Sequence, residues 1–281
     1  MKTPTEPSES RVSALADPPW VRRLLIAAAL LFLTMFLLVP IGAVFSFAFR
    51  NGPRAYLEAL CTPDTISALR LTLLTVAWSV PMNLVFGLAA AWLIAKFKFP
   101  GKSLLVTIID LPFSVSPVVA GLVIVLLFGR QSWLGSRLLD HGVQVVFAMP
   151  AMVMATIFVT FPFVAREVLP LMQAQGNHEE EAALTLGAGP WTTFFRVSLP
   201  KVRWAVFYGV ILSVARAMGE FGAVSVVSGH IRGTTNTLPL HAEILYNEYN
   251  FVGAFAVASL LTLLALSTLL VKTYVEWRTH P

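Results

Sequence analysis

The chain has 281 residues, of which 57% are hydrophobic and only 12% are charged. A soluble domain carries roughly 25% charged residues, so this composition excludes an ordinary water-soluble protein and indicates a membrane protein. The net charge of +5 does not indicate binding to nucleic acid, because the basic residues lie at the edges of apolar segments. The single cysteine, Cys61, cannot form a disulfide within the chain, and the five histidines lack zinc-ligand spacing.

The N-terminal segment, residues 1–23, is rich in Pro, Ser and charge, and we predict a disordered cytoplasmic tail. The apolar run Leu24–Phe49 follows it. A signal peptide has an apolar region of only about 7–15 residues, so this run is too long for one. We therefore expect it to be retained as the first membrane helix.

Six segments reach the length of about 20 apolar residues that a membrane-spanning helix needs. They are Leu24–Phe49, Leu71–Ala95, Leu104–Gly129, Gly142–Ala165, Trp204–Ser228 and Phe251–Val271. Pro112 and Pro117 are expected to bend or interrupt the third segment. The predicted fold class is an all-α integral membrane protein with six transmembrane helices over residues 24–275 and a short cytoplasmic C-terminus, 276–281.

The Lys and Arg residues predict the orientation of these spans, because cytoplasmic loops carry an excess of them. With both termini in the cytoplasm, most of the 20 basic residues fall on the inner side. Few fall on the outer side, where Arg232 is an example. This orientation places the segment of about 171–201 in the cytoplasm.

That cytoplasmic segment has the signals of a structured helical hairpin. Asn177 is a predicted N-cap with Glu180 as its capping-box partner. Gly187 is expected to turn the chain in a left-handed conformation, and Pro190 suits the first position of a second helix. Pro200 is expected to bend the chain into the fifth span.

Charged and polar residues within the predicted spans need a reason, because a charge at the bilayer centre is costly. Arg216 and Glu220 are four residues apart, within pairing distance on one helical face. They either only neutralise each other or also face a hydrated pathway and its gate. Asp110, Ser114 and Ser116 lie in the proline-broken third span, where a pathway-lining role is predicted and a purely structural kink is the alternative.

The spacing of Glu181-Ala182-Ala183, Gly187 and Val197-Ser198-Leu199-Pro200 resembles the EAA loop of ABC-importer permeases. In that family the loop docks on a separate ATPase subunit. The resemblance implies that the ATPase-coupling residues are Glu181, Ala182, Ala183, Gly187, Leu199 and Pro200. The alternative is an ordinary surface hairpin.

Further segments resemble the sulfate/thiosulfate branch of these permeases, and its W-type subunit most closely. They are DLPFSVSPVVAGL (Asp110–Leu122), ARAMGEFGAVSVVSGHIRG (Ala215–Gly233), TLPLHAEILYNEYN (Thr237–Asn250) and NLVFGLAAAWLIAKFKFPGK (Asn83–Lys102). The Arg-Ala-x-Gly-Glu-Phe-Gly core is also similar to molybdate permeases, so a molybdate or tungstate permease remains an alternative.

The resemblance implies a non-enzymatic permease subunit with the type I importer fold in a bacterial inner membrane, in contact with membrane lipid. The implied partners are ABC ATPase subunits, a T-type permease subunit in a heterodimer, and a periplasmic sulfate/thiosulfate-binding protein. ATP is expected to be used by the ATPase, with no cofactor on this chain. Gly101-Lys102-Ser103 is similar to the end of a phosphate-binding loop but lacks the earlier glycine of that motif, so we expect no nucleotide site on this chain. A membrane-embedded enzyme and a non-transporting scaffold are the alternatives from other classes.

Overall fold

The computed structural model describes residues 19–279 of the chain. The earlier part of the predicted tail and the last two residues of the predicted C-terminus lie outside the described residues. Every regular element within residues 19–279 is a helix, which confirms the predicted all-α fold. In chain order the helices are α1 (Pro19–Ala48), α2 (Gly52–Leu60), α3 (Pro63–Lys96), α4 (Lys102–Ser114), α5 (Pro117–Phe128), α6 (Trp133–Asp140), α7 (Met149–Ala174), α8 (His178–Thr185), α9 (Pro190–Met218), α10 (Gly222–Ser228), α11 (Leu238–Asn247) and α12 (Phe251–Thr279).

The first span is a helix of 30 residues that includes a π-helical turn at Thr34–Leu38. It belongs mainly to a first structural unit that ends at Ser46, and the second unit begins at Phe47. No residue of its first part, Pro19–Leu33, is buried, which suits an apolar helix surrounded by lipid. The helix begins at Pro19, before the predicted Leu24, and its first turns include Arg22 and Arg23. Cationic side chains near a helix end can extend into the headgroup region, so the helix can start before the apolar segment does.

The second span, α3, has 34 residues and begins eight residues before the predicted Leu71. Its start is fixed by Thr62, whose side chain accepts a hydrogen bond from the amide of Thr65. At 1.5 Å per residue the helix is about 51 Å long, which exceeds the hydrocarbon core of about 30 Å. Its two ends therefore reach beyond the apolar layer, and an apolar window alone underestimates its length.

The third span is interrupted, as its prolines predict. Helices α4 and α5 meet at an angle of 107° across a break at Val115 and Ser116. Both break residues have extended backbone angles. At Ser116 the cause is Pro117, because a proline disfavours the helical conformation of the residue before it. With this bent pair counted as one span, the described residues contain six candidate spans, as predicted.

The fourth span is shifted along the sequence from the predicted Gly142–Ala165. Gly142 and Phe147 both have positive φ, which delays the helix until Met149. At its other end α7 continues through Pro170 to Ala174. The charged residues at the edge of the apolar segment do not end the helix. A charged side chain limits how deeply a helix enters the bilayer, but it does not prevent the backbone from continuing as a helix.

The fifth span differs most from its predicted limits of Trp204–Ser228. Helix α9 ends at Met218, and α10 begins only at Gly222. Pro200 does not interrupt the helix, because α9 is continuous from Pro190 to Met218. A π-helical turn precedes the proline, with the Leu199 amide bonded to the Phe194 carbonyl, and this wider turn relieves the clash that a proline ring causes inside a helix.

The second unit is built around α7, which packs against α3, α9, α5 and α10. Two glycines permit its closest contacts. A β-carbon added at Gly87 of α3 would lie 2.9 Å from the Val164 β-carbon, and one added at Gly209 of α9 would lie 2.9 Å from the Val164 α-carbon. These small residues bring α3 and α9 together on α7, the helix that leads into α8.

Helix α12 begins at Phe251, as predicted, and it packs on α2 and α11. The side chain of Asn250 accepts a hydrogen bond from the amide of Gly253 and so caps its first turn. On α2 the Tyr56 hydroxyl lies 3.1 Å from the Ser259 hydroxyl. These contacts attach the last span to the end of the bundle that contains α2 and α11.

Candidate functional site

The hairpin between the fourth and fifth spans consists of α8, a tight turn and the start of α9. Gly187 has φ of +84°, so the predicted left-handed turn is confirmed. The Ala188 amide donates to the Ala183 carbonyl and the Gly187 amide donates to the Leu184 carbonyl, both at 3.0 Å. These two hydrogen bonds form a Schellman motif, in which amides after the helix end satisfy carbonyls of its last turn.

The first turn of α8 is held differently from the prediction. Asn177 makes no side-chain capping hydrogen bond, so the capping-box interpretation of Glu180 is wrong. Glu180 Oε1 instead lies 2.8 Å from the Nζ of Lys96, at the end of α3, and accepts a hydrogen bond of 3.0 Å from the Ser198 hydroxyl. Glu180 therefore pairs with Lys96 of α3 and Ser198 of α9 in place of the predicted reciprocal contact with Asn177.

Two opposing effects act on the pKa of Glu180. Burial raises the pKa, while hydrogen bonds from Lys96, a backbone amide and Ser198, together with the charge of Lys96, lower it. The net result is a pKa below the ordinary value, so Glu180 is a carboxylate at neutral pH. Lys96 also donates a hydrogen bond to the Gly176 carbonyl in the turn before α8.

The two glutamates that flank Glu180 face solvent. Glu179 forms an ion pair with Lys201 of α9, and its side chain is 63% exposed. Glu181 is exposed, and its carboxylate has no ion pair within residues 19–279. Ala182 and Gly187 are exposed beside it.

Large apolar side chains are exposed on the same hairpin. Leu186 is 88% exposed and Trp191 is 70% exposed. These two side chains flank the Gly187 turn. Leu186 lies outside the candidate spans, and Trp191 is the second residue of α9, at the hairpin end of the fifth span. An apolar surface rimmed by carboxylates is typical of a protein docking site.

The remaining predicted coupling residues have other surroundings. Ala183 is half-buried on α8. Leu199 is half-buried against the core cluster that contains Val164 and Val202, so it packs the hairpin onto the bundle. Pro200 is exposed on α9, two residues after the π-helical turn.

Arg216 and Glu220 form the predicted ion pair, with Arg216 Nη1 2.6 Å from Glu220 Oε2. Glu220 is not inside the fifth span, however, because α9 ends two residues before it. Its other carboxylate oxygen accepts a hydrogen bond of 2.9 Å from the Ala223 amide at the start of α10. The buried Glu220 side chain therefore joins the end of α9 to the next helix.

Asp110 has a partner that the sequence did not indicate. Its Oδ1 lies 2.7 Å from Arg166 Nη2 and 2.8 Å from Arg166 Nε. The Arg166 guanidinium lies 5.3 Å from the centre of the Phe113 ring. Because Arg166 is 56 residues away in sequence and on α7, only the packing of α4 against α7 reveals this pair.

The breaks in the third and fifth spans lie side by side. A β-carbon added at Gly222 would lie 3.2 Å from the β-carbon of Pro117, the first residue of α5. Ser114 and Ser116 are exposed at the break in the third span, and Glu220 precedes Gly222 by two residues. The structure thus brings together the two irregular segments that were predicted to line a pathway.

The end of the bundle opposite the hairpin of α8 and α9 contains a second polar cluster. Arg232 lies 3.5 Å from Asp64 and also pairs with Glu248. The buried His241 ring lies 3.1 Å from the Thr65 hydroxyl and 3.2 Å from the Asn236 side chain. Burial lowers the pKa of His241, and among the nearby charges Asp64 and Glu248 oppose that effect while Arg232 adds to it. No periodic pattern of residues indicates this cluster before the chain is folded.

The fold and the hairpin together define a membrane component of a transporter, and the comparisons with known proteins agree. Residues 83–280 match the family described as the binding-protein-dependent transport system inner membrane component. The chain belongs to this family. It is a transport component and not an enzyme, as its resemblance to ABC permeases implied.

Among its relatives is the sulfate transport system permease protein CysW of Escherichia coli (strain K12), which is 51% identical over 92% of this chain and 89% of the relative. The CysW protein of Synechocystis sp. is 52% identical over 92% of this chain and 94% of the relative. The sulfate transport system permease protein CysT of Escherichia coli is 36% identical, covering 87% of this chain and 88% of the relative. The W-type relatives are thus more similar than the T-type one.

A solved bacterial alginate ABC transporter in complex with a periplasmic protein contains a chain of the same fold. The TM-score is 0.78 at 16% sequence identity, and the alignment covers 92% of this chain and 95% of the other. At this identity the similarity extends to the fold alone. It confirms the predicted fold of an ABC importer permease.

Proposed function

We propose that this chain is the W-type permease subunit of an ATP-driven importer that moves sulfate or thiosulfate across a bacterial inner membrane. The identity of about half of all aligned residues with sulfate permeases supports this substrate class. The lower but clear similarity to a T-type permease supports a heterodimer of two subunits with the same fold. A periplasmic binding protein delivers the anion to this pair.

The observation that carries the proposal is the exposed hairpin surface around Gly187. Its apolar side chains, Leu186 and Trp191, and the carboxylate of Glu181 are all exposed on the same hairpin. The occupant is an ABC ATPase subunit, which binds and hydrolyses the ATP. Glu181, Ala182 and Gly187 form its contact surface, while Ala183, Leu199 and Pro200 set the position of the hairpin on the bundle.

The distribution of charge supports a cytoplasmic location for this hairpin. Lys96 and Lys201 lie at the hairpin end of the bundle, where they pair with its glutamates. Asp64, at the start of the long helix α3, lies in the opposite polar cluster. Because an excess of Lys and Arg marks the cytoplasmic side, both termini face the cytoplasm and the Asp64 cluster faces the periplasm.

The anion pathway runs beside the two broken spans. A tetrahedral dianion needs hydrogen-bond donors and not a metal, and the exposed hydroxyls of Ser114 and Ser116 supply donors at the break. Arg216 is half-buried, and Glu220 balances its charge, so the pathway attracts the anion only weakly. Asp110 holds Arg166 at the wall of the same span. Weak attraction allows the anion to leave as well as enter.

Uptake by the complete transporter tests this proposal. The chain is co-expressed with the T-type permease and ATPase of the same cell, purified in mild detergent, and reconstituted with the binding protein. We expect ATP-dependent uptake of labelled sulfate that unlabelled thiosulfate suppresses and molybdate suppresses weakly. Stronger suppression by molybdate or tungstate would assign the chain to those anions, and a complex without ATP-dependent uptake would refute an importer.

A matched pair of glutamate variants tests the docking surface. Glu181→Gln should weaken ATPase co-purification at least tenfold, because interface charges can contribute about 2–5 kcal/mol to binding. Glu179→Gln removes a neighbouring charge that pairs with Lys201 instead, and it should change co-purification less than twofold. Equal effects of the two variants would contradict the assignment of Glu181 to the ATPase contact.

A further inference from the structure

The ion pair between Lys96 and Glu180 joins elements that are far apart in the sequence. Lys96 occupies the last turn of α3, and Glu180 occupies the first turn of α8. Their side chains are only 7% and 13% exposed. A surface ion pair contributes little, but one excluded from water holds its partners in a fixed geometry.

The same pair has two additional hydrogen bonds that extend it across the hairpin. The buried Ser198 hydroxyl, in the π-helical turn of α9, donates to the Glu180 carboxylate. The Lys96 ammonium donates to the carbonyl of Gly176, before α8. One ion pair therefore connects α3, the turn before α8, α8 itself and α9.

The turns on both sides of α8 show why such a connection matters. Gly176 has φ of +64° before the helix, and Gly187 has φ of +84° after it. Around Gly187 there is no other group within 4 Å of the place where a β-carbon would be, so no neighbouring side chain packs on that side of the turn, which two hydrogen bonds within the hairpin close. A helix of eight residues between two glycine turns can pivot when a partner pushes on it.

We propose that Lys96 and Glu180 are positioning residues that make α8 move as one body with α3 and α9, so that displacement of the docked ATPase reaches the spans. This inference rests on the proposed transport function. It assigns the pair a role separate from the docking surface, which consists of the exposed residues around Glu181. Without the pair, α8 keeps its ATPase contact but pivots at Gly176 and Gly187, and ATP hydrolysis no longer drives uptake.

The decisive variant replaces both partners, as Lys96→Met with Glu180→Gln. A single replacement leaves a buried charge without its partner and endangers folding, whereas the double replacement removes both charges. The matched control is Glu179→Gln with Lys201→Gln, which removes the neighbouring, more exposed ion pair between α8 and α9. Both are compared with the wild-type chain in the complete reconstituted transporter.

Three quantities are measured for each complex: ATPase co-purification, ATP hydrolysis stimulated by loaded binding protein, and labelled sulfate taken up per ATP hydrolysed. In the Lys96→Met/Glu180→Gln variant we expect co-purification and hydrolysis within about twofold of wild type, and uptake per ATP reduced at least tenfold. The control should keep all three values within about twofold. A pair that only stabilises the fold would leave uptake per ATP unchanged.

The other outcomes are also decisive. Wild-type uptake per ATP in the double variant overturns the inference, and lost co-purification would place Glu180 in the docking surface instead. Absence of the folded double variant from the membrane would make the pair a folding determinant, which also overturns the inference. A failure of the proposed function is distinct, because the wild-type transporter itself would then take up no sulfate.

Discussion

At the scale of single residues, three consecutive glutamates in one helical turn have three different environments. Glu179 pairs with Lys201 near the surface, Glu180 is held by Lys96 and Ser198, and Glu181 is exposed. All three experience the same favourable helix dipole, so the dipole cannot distinguish them. The direction of each side chain around the helix axis decides which of them packs inward and which remains exposed.

The Arg216–Glu220 pair gives a prediction at this scale. Arg216→Met leaves the buried Glu220 carboxylate without its cation, which typically costs about 3–5 kcal/mol. Adding Glu220→Gln removes that charge and keeps an oxygen that can accept from the Ala223 amide. We therefore expect the double variant to recover folded protein in the membrane, measured as the monodisperse peak in detergent. A double variant as poor as the sum of the two single variants would show that the residues act independently.

The buried His241 predicts a pH dependence. Its pKa in the folded protein is lower than the value of about 6.5 in the unfolded chain, so the unfolded state binds the proton more readily. The contribution of neutral His241 is thus fully present above pH of about 6.5 and is lost as the pH falls through the lower folded pKa. The melting temperature in detergent should fall between pH 7.5 and 5.5.

The comparison for that experiment is His241→Gln, which should show a shallower fall over the same interval. The exposed residue His141 provides the control, and His141→Gln should follow the wild-type curve. If the His241→Gln curve is as steep as the wild-type curve, another group is responsible for the pH dependence.

At the scale of elements, close helix packing depends on where glycine occurs. Helices α3 and α9 both reach α7 at Val164 through Gly87 and Gly209. A larger residue at either glycine would place its side chain against Val164 of α7. A tightly packed interior responds to such overpacking with strain. The small residues therefore set the distance between the spans and not only their surface.

Gly209→Val should consequently reduce the folded yield, with overpacking typically costing about 1–3 kcal/mol. Gly42→Val is the matched control, since Gly42 also lies in a helix but has no other group within 4 Å of the added β-carbon. Thermal stability in detergent is the measurement. Equal destabilisation by the two variants would mean that helix propensity, and not the contact with Val164, determines the effect.

At the scale of the whole molecule, the two ends of α3 lie in two different polar clusters. Its start is near Asp64, Arg232 and Glu248, and its end is near Lys96 and Glu180. A helix of about 51 Å separates them, so they lie on opposite sides of a bilayer. The orientation of the chain then decides which cluster meets a binding protein and which meets an ATPase.

The exposed Cys61, next to the start of α3, tests that orientation. A membrane-impermeant thiol reagent added outside intact spheroplasts should label it. Leu186→Cys in a Cys61→Ser background should be labelled only after the membrane is opened. The reverse pattern would place the hairpin outside and would exclude an ATPase contact there.

The sequence by itself determined the helical class, the number of spans, the break in the third span and the turn at Gly187. These features follow from apolar segment length, proline and glycine, which act on neighbouring residues. It did not determine the end of α9 at Met218 or the continuous helix through Pro200. Those limits depend on a π-helical turn and on packing against α5, which no local pattern specifies.

The ion pairs show the same division most clearly. Arg216 and Glu220 were predicted together because four residues of helix bring them to one face. The pairs Lys96–Glu180 and Asp110–Arg166 were not, and Glu180 was wrongly interpreted as a cap. A charge pairs with whichever opposite charge the folded chain brings within reach. Only the packing of α3 and α7 against their neighbours decides which one that is.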